Sequence, residues 1–311
     1  MIISAIFGGG QVSETSTAGW SPVYSPTIKT VAGKNVSPEG ALTLSTYFAV
    51  LRVISEDVAK LPFKLFRELK PRGKEPATEE PIYNLIAKEP SPNYTSQEFR
   101  ELLTHWALGW GNGYAGINYD GDEPVELVPF HPSIVNTVLD GTTNKLYYEV
   151  KLKPGEMPTI LSQDRMLHIR GFGNQLSGYS LARFAALAVG LAQAMETHGA
   201  AYYGNGAWPG LIVRHPTKLT DLAKENIKRS VNEKRGADKS FSFMGFEEGV
   251  EVDTLATIPP AEAQFIEGRH LQIEDICRFA RVNPNKVQHW LRTTFNNVEA
   301  SNIDHVTDTL M

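Results

Sequence analysis

The chain has 311 residues, of which 41% are hydrophobic and 21% are charged, so it can bury a sizeable core in one to three domains. Its formal net charge of −5 excludes a global basic field that would draw the whole protein onto nucleic acid. The single cysteine, Cys277, excludes a disulfide framework and a four-cysteine zinc site, suits a reducing cytoplasm and is predicted to be buried.

No stretch of the sequence predicts a membrane span. Residues 1–7 are apolar but too short for a signal peptide, and they lack a basic region before them. Residues 181–195 form the most apolar predicted helix, which Arg183 and Gln193 interrupt. This helix is also shorter than the roughly 20 residues that cross a bilayer. We therefore expect no membrane partner.

Residues 1–40 are rich in Gly, Ser, Thr and Pro. Such a composition buries too little apolar surface to become ordered. We therefore expect a flexible N-terminal arm, with order beginning near Leu42.

Residues 41–179 alternate between helix and strand patterns. Apolar residues at helical spacing predict a helix from about residue 42 until Pro62 ends it, and the alternation in residues 63–67 predicts a strand. A short helix is predicted at 82–87, and the capping box of Thr95 and Glu98 opens a longer one. Short strands follow at 114–119, 125–129, 134–139, 147–152 and 166–169. A β-rich layer on helices is expected, and the fold class is α+β.

From Ser180 the pattern becomes that of one long helix. Its apolar positions recur at steps of three and four residues, at Leu181, Phe184, Leu187, Leu191, Met195 and His198. This spacing is typical of a helix that packs against other helices, and His198 is predicted to be a packing residue. Alanines, among them Ala185 and Ala192, keep the helix slim so that neighbours can approach closely.

Residues 210–257 have the pattern of a compact α/β insert, with strands at 211–214, 241–246 and 250–255 and a helix at 220–235. The first half is basic and includes Lys228, Arg229 and Arg235, and the second half is acidic and includes Glu247 and Glu248. Interleaved acids leave the helix only a modest basic surplus. A solvated or protein-docking face is therefore favoured over a DNA contact.

Two helices joined by a small polar loop are predicted after residue 258. The first ends near Arg281, the loop includes residues 293–297, and a further helix begins after Glu299. This arrangement suits a mechanical element better than a catalytic pocket.

Motifs of common enzymes are weak or missing. The glycine-rich residues 171–178 lack the Gly-Lys-Ser/Thr ending of a phosphate loop. The histidines do not fall at metal-ligand spacing, and no Gly-x-Ser-x-Gly elbow occurs. Asp120 and Asp122 could bind a divalent cation, although the turn chemistry around Gly121 favours a solvated hairpin. We expect no cofactor and no resident metal. The open alternatives are a metal-dependent nucleic-acid-processing enzyme that uses these aspartates, and a monomeric surface-binding module.

Six segments, in order, resemble the HK97-like portal proteins of tailed bacteriophages over residues 44–310. The segments are 47–56 (YFAVLRVISE) leading to 61–62 (LP), 99–103 (FRELL) leading to 110–115 (WGNGYA), 167–172 (LHIRGF), 204–210 (GNGAWPG), 263–267 (AQFIE) and 294–299 (TFNNVE). The resemblance implies a non-enzymatic protein that forms a ring, usually of twelve subunits, at one capsid vertex.

The resemblance also implies a division of this chain. After the arm come a wing (41–179), a first stem helix (180–209), a clip (210–257), a second stem helix (258–283), and a tunnel loop with the start of a wing helix (284–311). The implied site residues fall into three sets. They are a DNA-facing loop of Arg292, Thr293, Thr294, Phe295, Asn296 and Asn297; clip contacts at Lys228, Arg229, Arg235, Glu247 and Glu248; and stem packing by Ala185, Leu191, Ala192 and Met195.

The implied partners are other copies of the chain, double-stranded DNA passing without sequence specificity, the terminase large subunit, head–tail connector proteins, and capsid or scaffold proteins. The implied location is the virion, after synthesis in the host cytoplasm. The family continues past Thr309 and Leu310 to complete the wing and a crown, so we expect a shortened chain without a crown.

Replacing Ala185 or Ala192 by Leu is expected to block ring formation and leave the subunit folded.

Overall fold

Helices and short strands alternate along the chain in a mixed α+β arrangement. The computed structural model describes residues 27–153, 156–173, 176–204, 211–214, 220–233, 251–254, 262–290, 299 and 302–310. The helices are α1 Pro38–Ala41, α2 Ser45–Lys60, α3 Pro81–Ala87, α4 Ser96–Gly109, α5 Leu181–Phe184, α6 Ala186–Gly204, α7 Asp221–Glu233 and α8 Glu262–Phe279. The strands are β1 Ile28–Lys29, β2 Asn35–Val36, β3 Phe66–Glu68, β4 Lys74–Pro76, β5 Asn112–Asp120, β6 Glu123–Phe130, β7 Val135–Leu139, β8 Leu146–Val150, β9 Thr159–Ser162, β10 Met166–Arg170, β11 Leu211–Arg214 and β12 Glu251–Thr254.

The described strands pair antiparallel throughout. They form two three-stranded sheets, β10-β5-β6 and β7-β8-β9, two hairpins, β1-β2 and β3-β4, and a two-stranded sheet of β11 and β12. The predicted turn at Asp120 is a tight hairpin between β5 and β6, and Gly121 supplies its positive φ of 62°. The pairing of β11 with β12 brings the two ends of the insert together, with α7 between them in sequence.

The largest core lies where α2 meets α6 and the end of α8. Leu51 of α2, Val189 of α6, and Ile276 and Cys277 of α8 are all almost fully buried in this core. The predicted burial of Cys277 is confirmed, and burial, with a smaller effect of the Glu274 charge, raises the pKa of its thiol to about 12. This core fixes the two long helices to the body that precedes them.

A second packed region holds α4 against the sheet of β5, β6 and β10. Phe99 and Leu103 of α4 contact Ala115 of β5 and Leu127 of β6 in a buried cluster. The predicted capping box opens α4, since the Thr95 backbone N–H donates to Glu98 Oε2 at 2.9 Å and the Glu98 N–H donates to Thr95 Oγ1 at 3.3 Å.

The predicted arm boundary at residue 40 is wrong for its last residues. Within the described part, residues 27–41 form the β1-β2 hairpin and α1, and Thr30, Val36 and Ala41 are buried. Gln193 of α6 donates to the Gly40 carbonyl at 2.9 Å. A Cβ at Gly190 would lie 2.6 Å from Thr30 Oγ1. Tertiary contact with α6 thus orders a segment whose composition alone could not order it.

The predicted strand at 63–67 begins later, as β3 Phe66–Glu68. The turn closed by the Leu69 N–H and the Gly73 carbonyl places β4 opposite these residues. The Leu65 carbonyl still accepts from the Ala77 N–H at 2.9 Å, and residues 62–64 lie in no strand.

The predicted single helix from residue 180 is divided into α5 and α6 at Ala185, whose φ of −90° and ψ of 13° interrupt the helical geometry. His198, predicted to be a packing residue, is exposed and has a tilted ring contact with Phe265 at 6.5 Å. Among the described helices, none combines the length and the apolar character that crossing a bilayer requires.

Candidate functional site

The outer face of the α6–α8 pair is the most extensive candidate surface. α6 is apolar over most of its surface, and part of that surface stays exposed in the part of the chain that the structure describes. Val189 and Ala192 face the core, whereas Leu187 and Leu191 are 66% and 44% exposed. Phe279, at the end of α8, is 48% exposed. Large apolar side chains exposed together mark an interaction surface.

These exposed side chains line an open groove between the two helices. Leu187, Ala188 and Leu191 form one wall, and Gln272 and Phe279 belong to the other. Asp275 and Arg278, paired with each other, complete the α8 wall. The groove holds no nucleophile or acid–base pair among these residues. Its chemistry is the burial of another apolar surface.

The structure separates the four residues predicted for stem packing. Ala185 and Ala192 are buried inside the subunit, at 0% and 6% exposure. Leu191 faces the groove, and Met195 is half-buried beside Gly268, where an added Cβ would lie 3.0 Å from Met195 Cε. The two alanines therefore fit α6 to its own subunit, and Leu191 is available to a neighbour.

A buried polar network holds the junction between the sheet and the long helices. Asn112 accepts from the Gly178 N–H at 2.8 Å and donates to the Gly178 carbonyl at 3.1 Å. Its Oδ1 also lies 2.9 Å from His168 Nε2, so Nε2 carries the proton and Nδ1 accepts from the Tyr148 hydroxyl at 3.2 Å. Burial, followed by the Arg170 charge, lowers the pKa of His168 to about 4.

Glycines allow the close approach that this junction requires. Gly111 has a φ of +90°, and a Cβ there would lie 2.5 Å from the Gly178 carbonyl. A Cβ at Gly178 would overlap the Gly111 carbonyl. The glycine-rich segment that resembles a phosphate loop is therefore a packed turn in its described residues.

The predicted clip residues are only partly described. Lys228 and Arg229 are exposed on α7, where Arg229 donates to Asn226 Oδ1 at 2.9 Å. Arg235, Glu247 and Glu248 lie outside the described residues, as do all six predicted tunnel-loop residues, 292–297.

Asp120 and Asp122 lie at the exposed tip of the β5–β6 hairpin. Across the described part of the chain, no group of three or more His, Cys, Asp or Glu side chains is arranged to hold a metal ion.

A contact between the end of the described chain and α2 is indicated by no sequence pattern. The buried His305 lies with Nε2 3.0 Å from Asp57 Oδ2, so the last described turn is tied to α2. Thr309 also donates to the Arg281 carbonyl at 2.6 Å. No local pattern could have indicated a pair that is 248 residues apart in sequence.

Comparison with known proteins links this architecture to one family. A sequence model described as "Phage portal protein" matches residues 45–311. The probable portal protein of Streptomyces phage phiC31 is 27% identical over 314 residues, covering 94% of this chain and 66% of the relative. The portal protein of Enterobacteria phage HK97 is 27% identical over 258 residues, covering 81% of this chain and 59% of the relative. The chain thus spans less than two thirds of the length of both relatives.

A solved structure shares the fold at low sequence identity. It is the neck of a native gene transfer agent particle computed with C12 symmetry, with a TM-score of 0.58 and 20% identity over 99% of this chain and 81% of that one. Since the family model covers most of the chain and the HK97 portal protein is among its relatives, the chain belongs to the phage portal protein family and is HK97-like.

Proposed function

We propose that this chain is the subunit of a phage portal, a ring at one vertex of the capsid. The ring is the channel through which DNA is packaged and ejected. It docks the terminase large subunit and head–tail connector proteins, and it contacts capsid or scaffold proteins. The subunit is made in the host cytoplasm, functions in the virion and has no catalytic step of its own.

The observation that carries this proposal is the exposed apolar face of α6 and α8 in a chain of this family. Leu187, Leu191 and Phe279 together would be costly to leave in water, at about 25 cal/mol per Å² of apolar surface. Head-to-tail contact with identical neighbours covers such a face in every subunit and closes into a ring. The C12 symmetry of the gene transfer agent neck is compatible with twelve subunits.

The parts of the ring follow the chain. Residues 41–179 form the wing, α6 and α8 the stem, and residues 210–257 the clip. Lys228 and Arg229, exposed on α7, supply part of the clip contact, together with Arg235, Glu247 and Glu248. Residues 292–297 supply the loop nearest DNA, since its two threonines and two asparagines are small polar side chains that can contact a phosphate backbone without reading sequence.

The charge of the chain suits a channel through which DNA slides. A ring of twelve subunits has a formal charge of −60, twelve times the −5 of one chain. Such a ring repels phosphates overall, so duplex DNA is not held in the channel by counterion release.

Electron microscopy and mass measurement of the purified protein test the proposal. We expect ring particles with a central hole and a mass of many subunits. A mass matching one chain at micromolar concentration would instead support a monomeric binding module. Cleavage of DNA that requires Mg²⁺ and is lost in Asp120→Ala would support the metal-dependent enzyme.

A further inference from the structure

The β3–β4 hairpin is the least covered element of the wing. Residues 61–76 are exposed throughout, apart from Leu65, which is partly buried. Phe63, Phe66 and Leu69 are 50%, 47% and 42% exposed. Among the strands that the structure describes, these two pair only with each other, and an isolated two-stranded hairpin is marginally stable in water. This element therefore presents apolar side chains and unpaired strand edges to a partner.

The base of the hairpin is nevertheless firmly held. Arg100 of α4 donates to the Leu61 carbonyl at 2.9 Å and to the Ala59 carbonyl at 2.8 Å. Its guanidinium lies 4.8 Å from the centre of the Phe63 ring. These contacts fix the chain where it enters the hairpin, which lowers the entropy cost of docking.

The hairpin is basic in an acidic protein. Residues 61–76 contain five Lys or Arg and two Glu, a net charge of +3, so the remainder of the −5 chain has a net charge of −8. Lys70, Arg72 and Lys74 form no salt bridge within the described residues. Carboxylates on a neighbouring molecule would complement these three cations.

A second surface of the same chain has that complementary character. Asp120, Asp122 and Glu123 are exposed at the β5–β6 turn, and none of them is in a salt bridge in the part of the chain that the structure describes. Val125, two residues further along β6, is 51% exposed. The turn therefore combines three unpaired carboxylates with an exposed apolar side chain, as the hairpin combines three cations with Phe66 and Leu69.

We propose that the β3–β4 hairpin of one subunit docks on the β5–β6 turn of the next subunit. The occupant is a second copy of this chain, and the proposal depends on the ring of the proposed function. Two different surfaces of one chain that bind each other make a head-to-tail contact, which is the kind that closes into a ring. In this contact, Asp120 and Asp122 face the cations of the hairpin of a neighbouring subunit.

Charge reversal with rescue tests this contact. One variant has Lys70→Glu, Arg72→Glu and Lys74→Glu, a second has Asp120→Lys, Asp122→Lys and Glu123→Lys, and a third combines all six changes. We expect each triple variant to raise the concentration at half-assembly at least about tenfold. The combined variant should return it to near the wild-type value. Mass photometry against concentration gives the ring fraction, and thermal unfolding checks each subunit.

A matched control separates local contact from net charge. Reversing the exposed Lys145, Lys151 and Lys153 to Glu makes the same charge change as the hairpin variant, at residues that flank β8. We expect this control to assemble like the wild type.

The outcomes distinguish this contact from the ring itself. Wild-type protein without rings overturns the proposed function and this contact together. Wild-type rings with unimpaired hairpin variants, or with no rescue in the sixfold variant, overturn the contact alone. Hairpin variants that keep their rings and lose retention of duplex DNA on a gel would also overturn it, and would assign the hairpin to nucleic acid.

Discussion

His168 is a half-buried residue whose protonation is controlled by its hydrogen-bond partners. Asn112 and Tyr148 together fix one neutral tautomer, because the amide accepts at Oδ1 and the hydroxyl donates to Nδ1. A proton added to Nδ1 would break the bond from Tyr148 and place a charge in a largely buried position. We therefore expect the junction around Asn112 and Gly178 to be sensitive to acid.

Acidification should destabilise the subunit through His168. The pKa is about 4 in the folded chain and about 6.5 when unfolded, so the unfolded state binds more protons between these values. Stability from this group is complete above pH 6.5 and falls as the pH drops toward 4. We expect a loss of about 2 kcal/mol in the free energy of unfolding, measured by urea titration at several pH values.

His168→Gln is the control for this titration, since it keeps a polar side chain and cannot be protonated. We expect it to be less stable than the wild type at pH 7 and to lose less stability on acidification. The burial-lowered pKa values of His105 and His131 affect both proteins equally. Parallel pH profiles for the two proteins would show that His168 is not responsible.

The burial of Ala192 changes the expected effect of Ala192→Leu from blocked assembly to a less stable subunit. Because its side chain faces α2 and α8 in the core, Ala192→Leu should destabilise the subunit by about 1–3 kcal/mol through overpacking. The same holds for Ala185. Chemical unfolding measures the loss, and Ala200→Leu, at an exposed position of α6, is the matched control. Equal stability of Ala192→Leu and Ala200→Leu would contradict this packing.

At the scale of elements, the α6–α8 groove should control assembly without controlling folding. We expect Leu187→Asp combined with Leu191→Asp to raise the concentration at half-assembly at least about tenfold, since two apolar contacts are lost and charges are placed in the interface. The unfolding midpoint should change little because both side chains are exposed in the subunit. Sedimentation velocity over a concentration series measures the effect.

Met157→Asp is the control for the groove, because Met157 is 88% exposed and lies in the wing between β8 and β9. It adds one charge and removes an exposed apolar side chain without touching the groove. If the groove variant assembled as well as this control and the wild type, the α6–α8 groove would not be a contact between subunits.

Residues 27–41, which precede α2, make side-chain hydrogen bonds that their composition did not predict. Lys34 donates to Thr197 at 2.8 Å, Gln193 donates to the Gly40 carbonyl at 2.9 Å, and the Trp110 indole donates to Glu39 at 2.8 Å. These bonds attach β1-β2 and α1 to both α6 and α4. The segment therefore fixes α6 against α4.

At the scale of the whole molecule, two separate surfaces are proposed to close the ring. The α6–α8 groove is mainly apolar, whereas the hairpin and turn of the wing are charged. A high concentration of a kosmotropic salt such as sulfate screens contacts between exposed charges and strengthens apolar association. The wing contact should therefore be the salt-sensitive one, and rings of the groove variant should be more sensitive to salt than wild-type rings.

The sequence by itself determined the local elements and the family. The helical spacing before Pro62, the Thr95 capping box and the turn at Gly121 each depend on neighbours in sequence, so their interactions could be read directly. The six segments that resemble portal proteins, taken in order, indicated the family, because each is a short stretch of consecutive residues. None of these features requires knowledge of what lies across the core.

Only the tertiary structure decided which residues face inward. The spacing of α6 could not say that Ala185 and Ala192 pack in the subunit while Leu187 and Leu191 stay exposed, because a helix that is apolar on all sides gives no inside face. The pairing of His305 with Asp57 and the ordering of residues 27–41 also depend on partners distant in the chain. Burial and long-range hydrogen bonds are properties of the packed whole, and local patterns do not encode them.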